Sequence, residues 1–73
     1  MTLQYNKEND RYNNFNCGDC FKIKIKDKWT WVRIEQNGNN QWYLIDENDF
    51  TCICSRLEGS EIKLPYQNSR RYE

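Results

Sequence analysis

The sequence predicts an all-β domain: a small five-stranded antiparallel barrel of the SH3-like kind, with a short helical turn before its last strand. Three observations lead there. β-branched and aromatic residues alternate with polar ones on both sides of Asn37-Gly38, the strongest short-range hairpin signal. Alanine is absent, while Ile, Tyr, Trp, Phe and Thr abound, so residues that favour strands outnumber those that favour unpacked helix. Tight polar turns separate runs too short for helices. An OB-type barrel would want a longer chain and a real helix; a flat meander is the competing architecture.

Residues 1–73 form one domain, near the lower size limit at which a single apolar core suffices. Residues 1–16 are rich in Asn and Asp, whose side chains bond nearby backbone and favour turns. They read as a loose arm with a short strand around Leu3–Tyr5, its aromatics placed to dock on the barrel. Cys17-Gly18-Asp19-Cys20 is a turn into the first firm strand, which runs to Lys28. Phe21, Ile23 and Ile25 fall on one face of it, and Lys22, Lys24 and Lys26 on the other. A period of two with such contrast means one buried face and one wet face.

Asp27-Lys28 makes a tight turn into the central hairpin. In its first strand Val32 and Ile34 share the core face with Thr30, leaving Trp29, Trp31, Arg33 and Glu35 on the other. In its second strand Trp42 and Leu44 oppose Tyr43 and Ile45, and the pattern leaves open which pair faces the core. Asp46 to Asp49 is a turn, Phe50 to Ser55 a fourth strand, and Arg56 to Ser60 the helical turn, with glycine near its end. Glu61 to Leu64 is the fifth strand, stopped by Pro65. Residues 66–73 read as a frayed tail.

Eleven basic and eleven acidic residues cancel, which removes any general attraction to nucleic acid or an anionic membrane. No apolar run reaches the length of a membrane span or a signal-peptide core. The expected location is the cytoplasm, with reduced thiols.

Several pieces together resemble a bacterial family catalogued as domain of unknown function 5348. They are Arg11-Tyr12, Cys17-Gly18, the strand Phe21 to Ile25, and Trp29 with Arg33 and Glu35. They continue through Trp42-Tyr43-Leu44, Leu57 and the closing Ile62-Lys63-Leu64, so that the likeness covers about residues 10–64. The resemblance implies short proteins of low-GC Gram-positive bacteria and their mobile elements or phages. It implies one cysteine before the glycine, as at Cys17; Cys20, Cys52 and Cys54 are particular to this sequence. It brings no activity, catalytic residue or cofactor.

Four cysteines, Cys17, Cys20, Cys52 and Cys54, raise the alternative of a zinc site. Cys17 and Cys20 across a glycine turn would make half of one. Cys52 and Cys54, two residues apart on a strand, are separated by about 6.5–7 Å along it. Thiolates around one tetrahedral ion lie closer than that, so no metal or other cofactor is expected. Catalysis is not expected either. Histidine, the usual general base at neutral pH, is absent, and so is a glycine-rich phosphate loop before a helix. Binding is the better account: Trp31, Arg33, Glu35, Trp42 and Tyr43 fall near one another and include the residue types enriched at interface hot spots. The expected partner is another protein. The alternative is a weak single-stranded nucleic-acid binder using Lys22, Lys24, Lys26 and Lys28, with nearby aromatics for stacking. The partner's identity and the oligomeric state stay open.

Overall fold

A computed structural model describes residues 1–65. The tail expected over residues 66–73 lies outside the described residues. The fold is all-β. A hairpin of β1 (Tyr5–Asn6) and β2 (Arg11–Tyr12) forms a two-stranded sheet. A meander of β3 (Cys20–Ile25), β4 (Lys28–Gln36), β5 (Trp42–Asp46) and β6 (Thr51–Ile53) follows. A 3-10 turn at Cys54–Arg56 leads on to β7 (Ile62–Lys63), which pairs antiparallel with β3. The larger sheet thus has five antiparallel strands in the order β6-β5-β4-β3-β7.

This sheet is open, which corrects the expected closed barrel. Its edge strands are β6, of three residues, and β7, of two. Beside β7 the N-terminal segment takes the edge instead: Thr2 bridges Glu61. Leu3 N–H donates to Ser60 O at 2.9 Å, and Ile62 N–H donates to Met1 O at 2.9 Å. Gly59, at φ +92°, donates to Leu3 O at 2.8 Å from a conformation that suits glycine.

The turns explain the register. Lys26 and Asp27 have φ of 51° and 64°, the two left-handed residues of a type I′ hairpin turn. The turn therefore sits one residue earlier than expected, with Ile25 opposite Lys28. At the other end of β3, Gly18 N–H donates to Ile34 O at 2.8 Å and Ile34 N–H donates to Asp19 O at 2.9 Å. Two residues oppose one there, and Gly18 at φ +94° supplies the left-handed residue that such a bulge requires.

Between β4 and β5 the left-handed residue is Asn40, at φ 62°, and not Gly38. Asn37 Oδ1 accepts from the N–H groups of Asn39 (2.8 Å) and Gln41 (3.0 Å), and Asn40 N–H donates to Asn37 O at 3.0 Å. The result is a three-residue loop that pairs Gln36 with Trp42 and Ile34 with Leu44. A two-residue Asn37-Gly38 loop would have paired Ile34 with Gln41 and turned Tyr43 and Ile45 inward. Loop length therefore decides the face.

The turn between β5 and β6 repeats the same device. Asp46 Oδ1 accepts from the N–H groups of Asn48 (2.8 Å) and Phe50 (3.0 Å), and Asp49 takes φ 65°. Phe50 is spent in this closure and is 71% exposed, which shortens the strand expected from Phe50 to Ser55. The helical turn correspondingly starts earlier, at Cys54.

One face of the sheet carries the core: Phe21, Ile23, Val32, Ile34, Trp42, Leu44 and Ile62, with Cys54 from the 3-10 turn. The stretch at residues 1–16 contributes Leu3, Tyr12 and Phe15. Phe15 stacks on Phe21 with centroids 4.3 Å apart and planes 2° from parallel. The Trp42 indole Nε1 donates to Asp10 O at 3.0 Å, tying the first hairpin to β5. Among the described residues no helix is long and apolar enough to cross a membrane.

Candidate functional site

With the core on one face, the other face of the five-stranded sheet holds the candidate site. Alternation along β3 and β4 sends Lys22, Lys24, Trp29, Trp31, Arg33 and Glu35 to it. The ladder sets them in rows. Lys63, Lys22 and Trp31 stand side by side across β7, β3 and β4, and Lys24 stands opposite Trp29. Arg33 is opposite Ile45, which is opposite Thr51; Glu35 is opposite Tyr43, which is opposite Ile53. Trp29, Trp31, Tyr43, Ile45 and Ile53 are all half-buried, so this face is partly apolar although no layer of the described chain packs on it as on the core face.

Lysines lie over the indoles. Lys63 Nζ is 4.4 Å and Lys24 Nζ 5.8 Å from the Trp29 centroid, and Lys22 Nζ is 5.4 Å from that of Trp31. Such contacts are worth about 0.5–1 kcal/mol each at exposed sites. Lys22 and Lys63 are direct cross-strand neighbours, an unfavourable like-charge pair. Among the described residues no carboxylate lies within 4 Å of these three ammonium groups. Arg33 Nε, by contrast, donates to Glu35 Oε2 at 2.8 Å along the same strand. Beyond Trp31 and Ile45 is a shallow depression of about 230 Å³ rimmed by Asp46, Glu47 and Asp49. The face is therefore cationic and aromatic on the β7 side and acidic at the β5–β6 turn.

The set expected from sequence is split. Trp31, Arg33, Glu35 and Tyr43 are brought together, while Trp42 lies on the core face, 7% exposed. The lysine row is split as well. Lys22 and Lys24 keep the outer face, Lys26 occupies the turn, and Lys28 takes the parity of Thr30 and Val32. Lys63, Trp29, Ile45 and Ile53 complete the face. Alternation within Ile62-Lys63-Leu64 placed Lys63 opposite in sense to Ile62, but nothing local in sequence named β3 as its partner strand.

The four cysteines are free and do not converge. Cys20 opens β3, Cys52 is on β6, and β4 and β5 lie between them. Cys54 is fully buried in the core. Among the described residues no three His, Cys, Asp or Glu side chains are gathered so as to hold an ion. Burial, with Cys52 adding to it, pushes the Cys54 thiol up to about 12, so it holds its proton where a metal ligand or nucleophile needs a thiolate.

That shift sets a pH dependence. The unfolded chain's thiol ionises from about pH 8.5, while the folded thiol stays protonated. The stabilisation is complete below that pH and declines as pH rises towards the folded value, by about 1.4 kcal/mol per unit. Urea midpoints at pH 7, 9 and 10 should fall more steeply for the wild type than for Cys54→Ala. Equal slopes would show that Cys54 is not held protonated.

No curated protein matches this chain, and no solved structure does. A family model described as domain of unknown function (DUF5348) matches residues 1–62. That match spans the first hairpin, the whole meander and the start of β7, and on it the chain belongs to the DUF5348 family.

Proposed function

We propose that this protein is a non-catalytic protein-binding module acting in the cytoplasm through the outer face of its five-stranded sheet. One observation carries the reading. Trp29, Trp31, Tyr43, Ile45 and Ile53 are half-buried on a face opposite the core, beside an Arg33 whose side chain is 51% exposed. Aromatic residues and arginine on a surface are the ingredients of interface hot spots. The mobile-element setting implied by the family resemblance gives a concrete version, an inhibitor or modulator of a host protein such as a defence nuclease.

Affinity capture from host lysate with wild type, Trp31→Ala and Arg33→Glu tests the reading. Both variants should lose the captured partner and stay folded. Trp31→Ala removes, with the partial burial of its ring, a cation–π contact worth about 0.5–1 kcal/mol, and Arg33→Glu an exposed ion pair worth about 0–1 kcal/mol. Retention of the partner by both folded variants would remove this face from the account.

The lysines over Trp29 and Trp31 favour a second reading, single-stranded nucleic acid stacked on the indoles. A base would have to displace a lysine from each ring, and the neutral chain adds no long-range attraction. A salt titration of binding to a labelled oligonucleotide separates the readings, since phosphate contacts give a steep salt slope.

A further inference from the structure

We propose that one occupant of the outer face is a second copy of this chain, forming a weak two-fold dimer; this rests on reading the face as protein-binding. Charge complementarity is the argument. One row of the sheet runs Lys63, Lys22, Trp31 and then out to the turn carrying Glu47 and Asp49. The lysines have no carboxylate within 4 Å among the described residues, and neither does any described cation lie that close to Glu47 or Asp49. Each end of the row lacks what the other end offers.

A two-fold axis parallel to β4 and passing by Trp31 reverses this row in the second copy. Lys22 and Lys63 of one copy then lie over Glu47 and Asp49 of the other, and the two Trp31 side chains meet near the axis. The arrangement is isologous, as closed dimers are. It relieves the Lys22–Lys63 repulsion at both ends and covers the half-buried Ile45. A zero net charge leaves no long-range repulsion between copies. Five strands about 4.8 Å apart present on the order of 400 Å², below the about 800 Å² per partner of a standard interface. The dimer is accordingly a low-affinity, salt-sensitive one.

Sedimentation equilibrium on the full chain, at low and high salt, tests this with two charge-reversed variants. In Lys22→Glu/Lys63→Glu the cross-strand repulsion is kept while the sign is inverted. In Glu47→Lys/Asp49→Asn the acidic end is inverted, with Asn chosen because position 49 is left-handed. Wild type should shift from monomer to dimer with rising concentration, and less so at high salt. Each variant alone should stay monomeric, and an equimolar mixture should dimerise again. Thermal melts confirm that each variant is folded; Lys22→Gln/Lys63→Gln replaces the first if it is not.

A wild type that stays monomeric overturns the dimer, as does a dimer that both variants keep or a mixture that fails to associate. A monomer that binds labelled oligothymidylate and loses it in Lys22→Glu/Lys63→Glu overturns it in favour of nucleic acid. A monomer whose capture of a host protein still depends on Trp31 overturns the dimer alone and leaves the protein-binding reading standing.

Discussion

Leu3→Ala should leave most of the population unfolded. Leu3 is fully buried, and its main chain is bonded on both sides, to Ser60 and from Gly59. Deleting a buried leucine side chain costs about 2–5 kcal/mol, the transfer loss plus the cavity left behind. A domain of this size holds roughly 3–5 kcal/mol from its core, so the loss is comparable to the whole. Leu3→Met, which conserves volume, should cost under about 1.5 kcal/mol. Met1→Ala should be nearly silent, because Met1 is 69% exposed and only its carbonyl is used. Urea denaturation followed by near-ultraviolet circular dichroism orders the three. A Leu3→Ala variant as stable as Met1→Ala would mean that the N-terminal segment is not part of the cooperative fold.

Trp42→Ala should be as damaging, and for a reason that separates it from Trp31. Removing a buried aromatic costs about 3–5 kcal/mol. Here the change also releases the Asp10 carbonyl, and with it the link between the first hairpin and β5. Trp42→Phe keeps most of the ring and loses the indole donor, so about 1 kcal/mol of hydrogen bonding should go. Melting curves of Trp42→Ala, Trp42→Phe and Trp31→Ala should therefore fall in that order from least to most stable. If Trp31→Ala melted with Trp42→Ala, Trp31 would belong to the stabilising layer and the case for an outer binding face would weaken.

Much of this architecture could be read from residue order. Strand β3 announces itself in Phe21 to Lys26, and the parity of β4 follows from Val32 and Ile34 against Arg33 and Glu35. Strand β5 resisted because Trp42, Tyr43, Leu44 and Ile45 are all apolar. Only the loop length before it distinguishes the faces, and Asn-Gly pointed to a two-residue loop where three are used. The site lost Trp42 for that reason alone. It gained Lys63 because β7 pairs with a strand some forty residues earlier, a long-range choice that no local pattern carries. Tyr12 and Phe15 read as arm aromatics placed to dock on the barrel, but they share no period with Leu3, so the burial of all three together was hidden until the fold brought the N-terminal stretch against the sheet. The open sheet follows from the same limits, since alternation specifies faces and leaves closure to the lengths of the edge strands.

The two loops built on Asn37 and Asp46 carry a consequence for how the protein ages. Asn-Gly is a sequence prone to deamidation, in which the backbone nitrogen of Gly38 attacks the side-chain carbonyl of Asn37, ammonia leaves as the cyclic imide closes, and water then opens the imide to aspartate or isoaspartate. Position 46 already shows the first outcome in place: an aspartate Oδ1 accepting the same pair of backbone N–H groups that Asn37 Oδ1 accepts. Conversion of Asn37 to aspartate should therefore pass through the molecule as a change of charge with the hairpin intact. Isoaspartate would instead add a backbone atom to a loop whose length decides which way Trp42 points, so chemical damage at this exposed spot reaches the core through register.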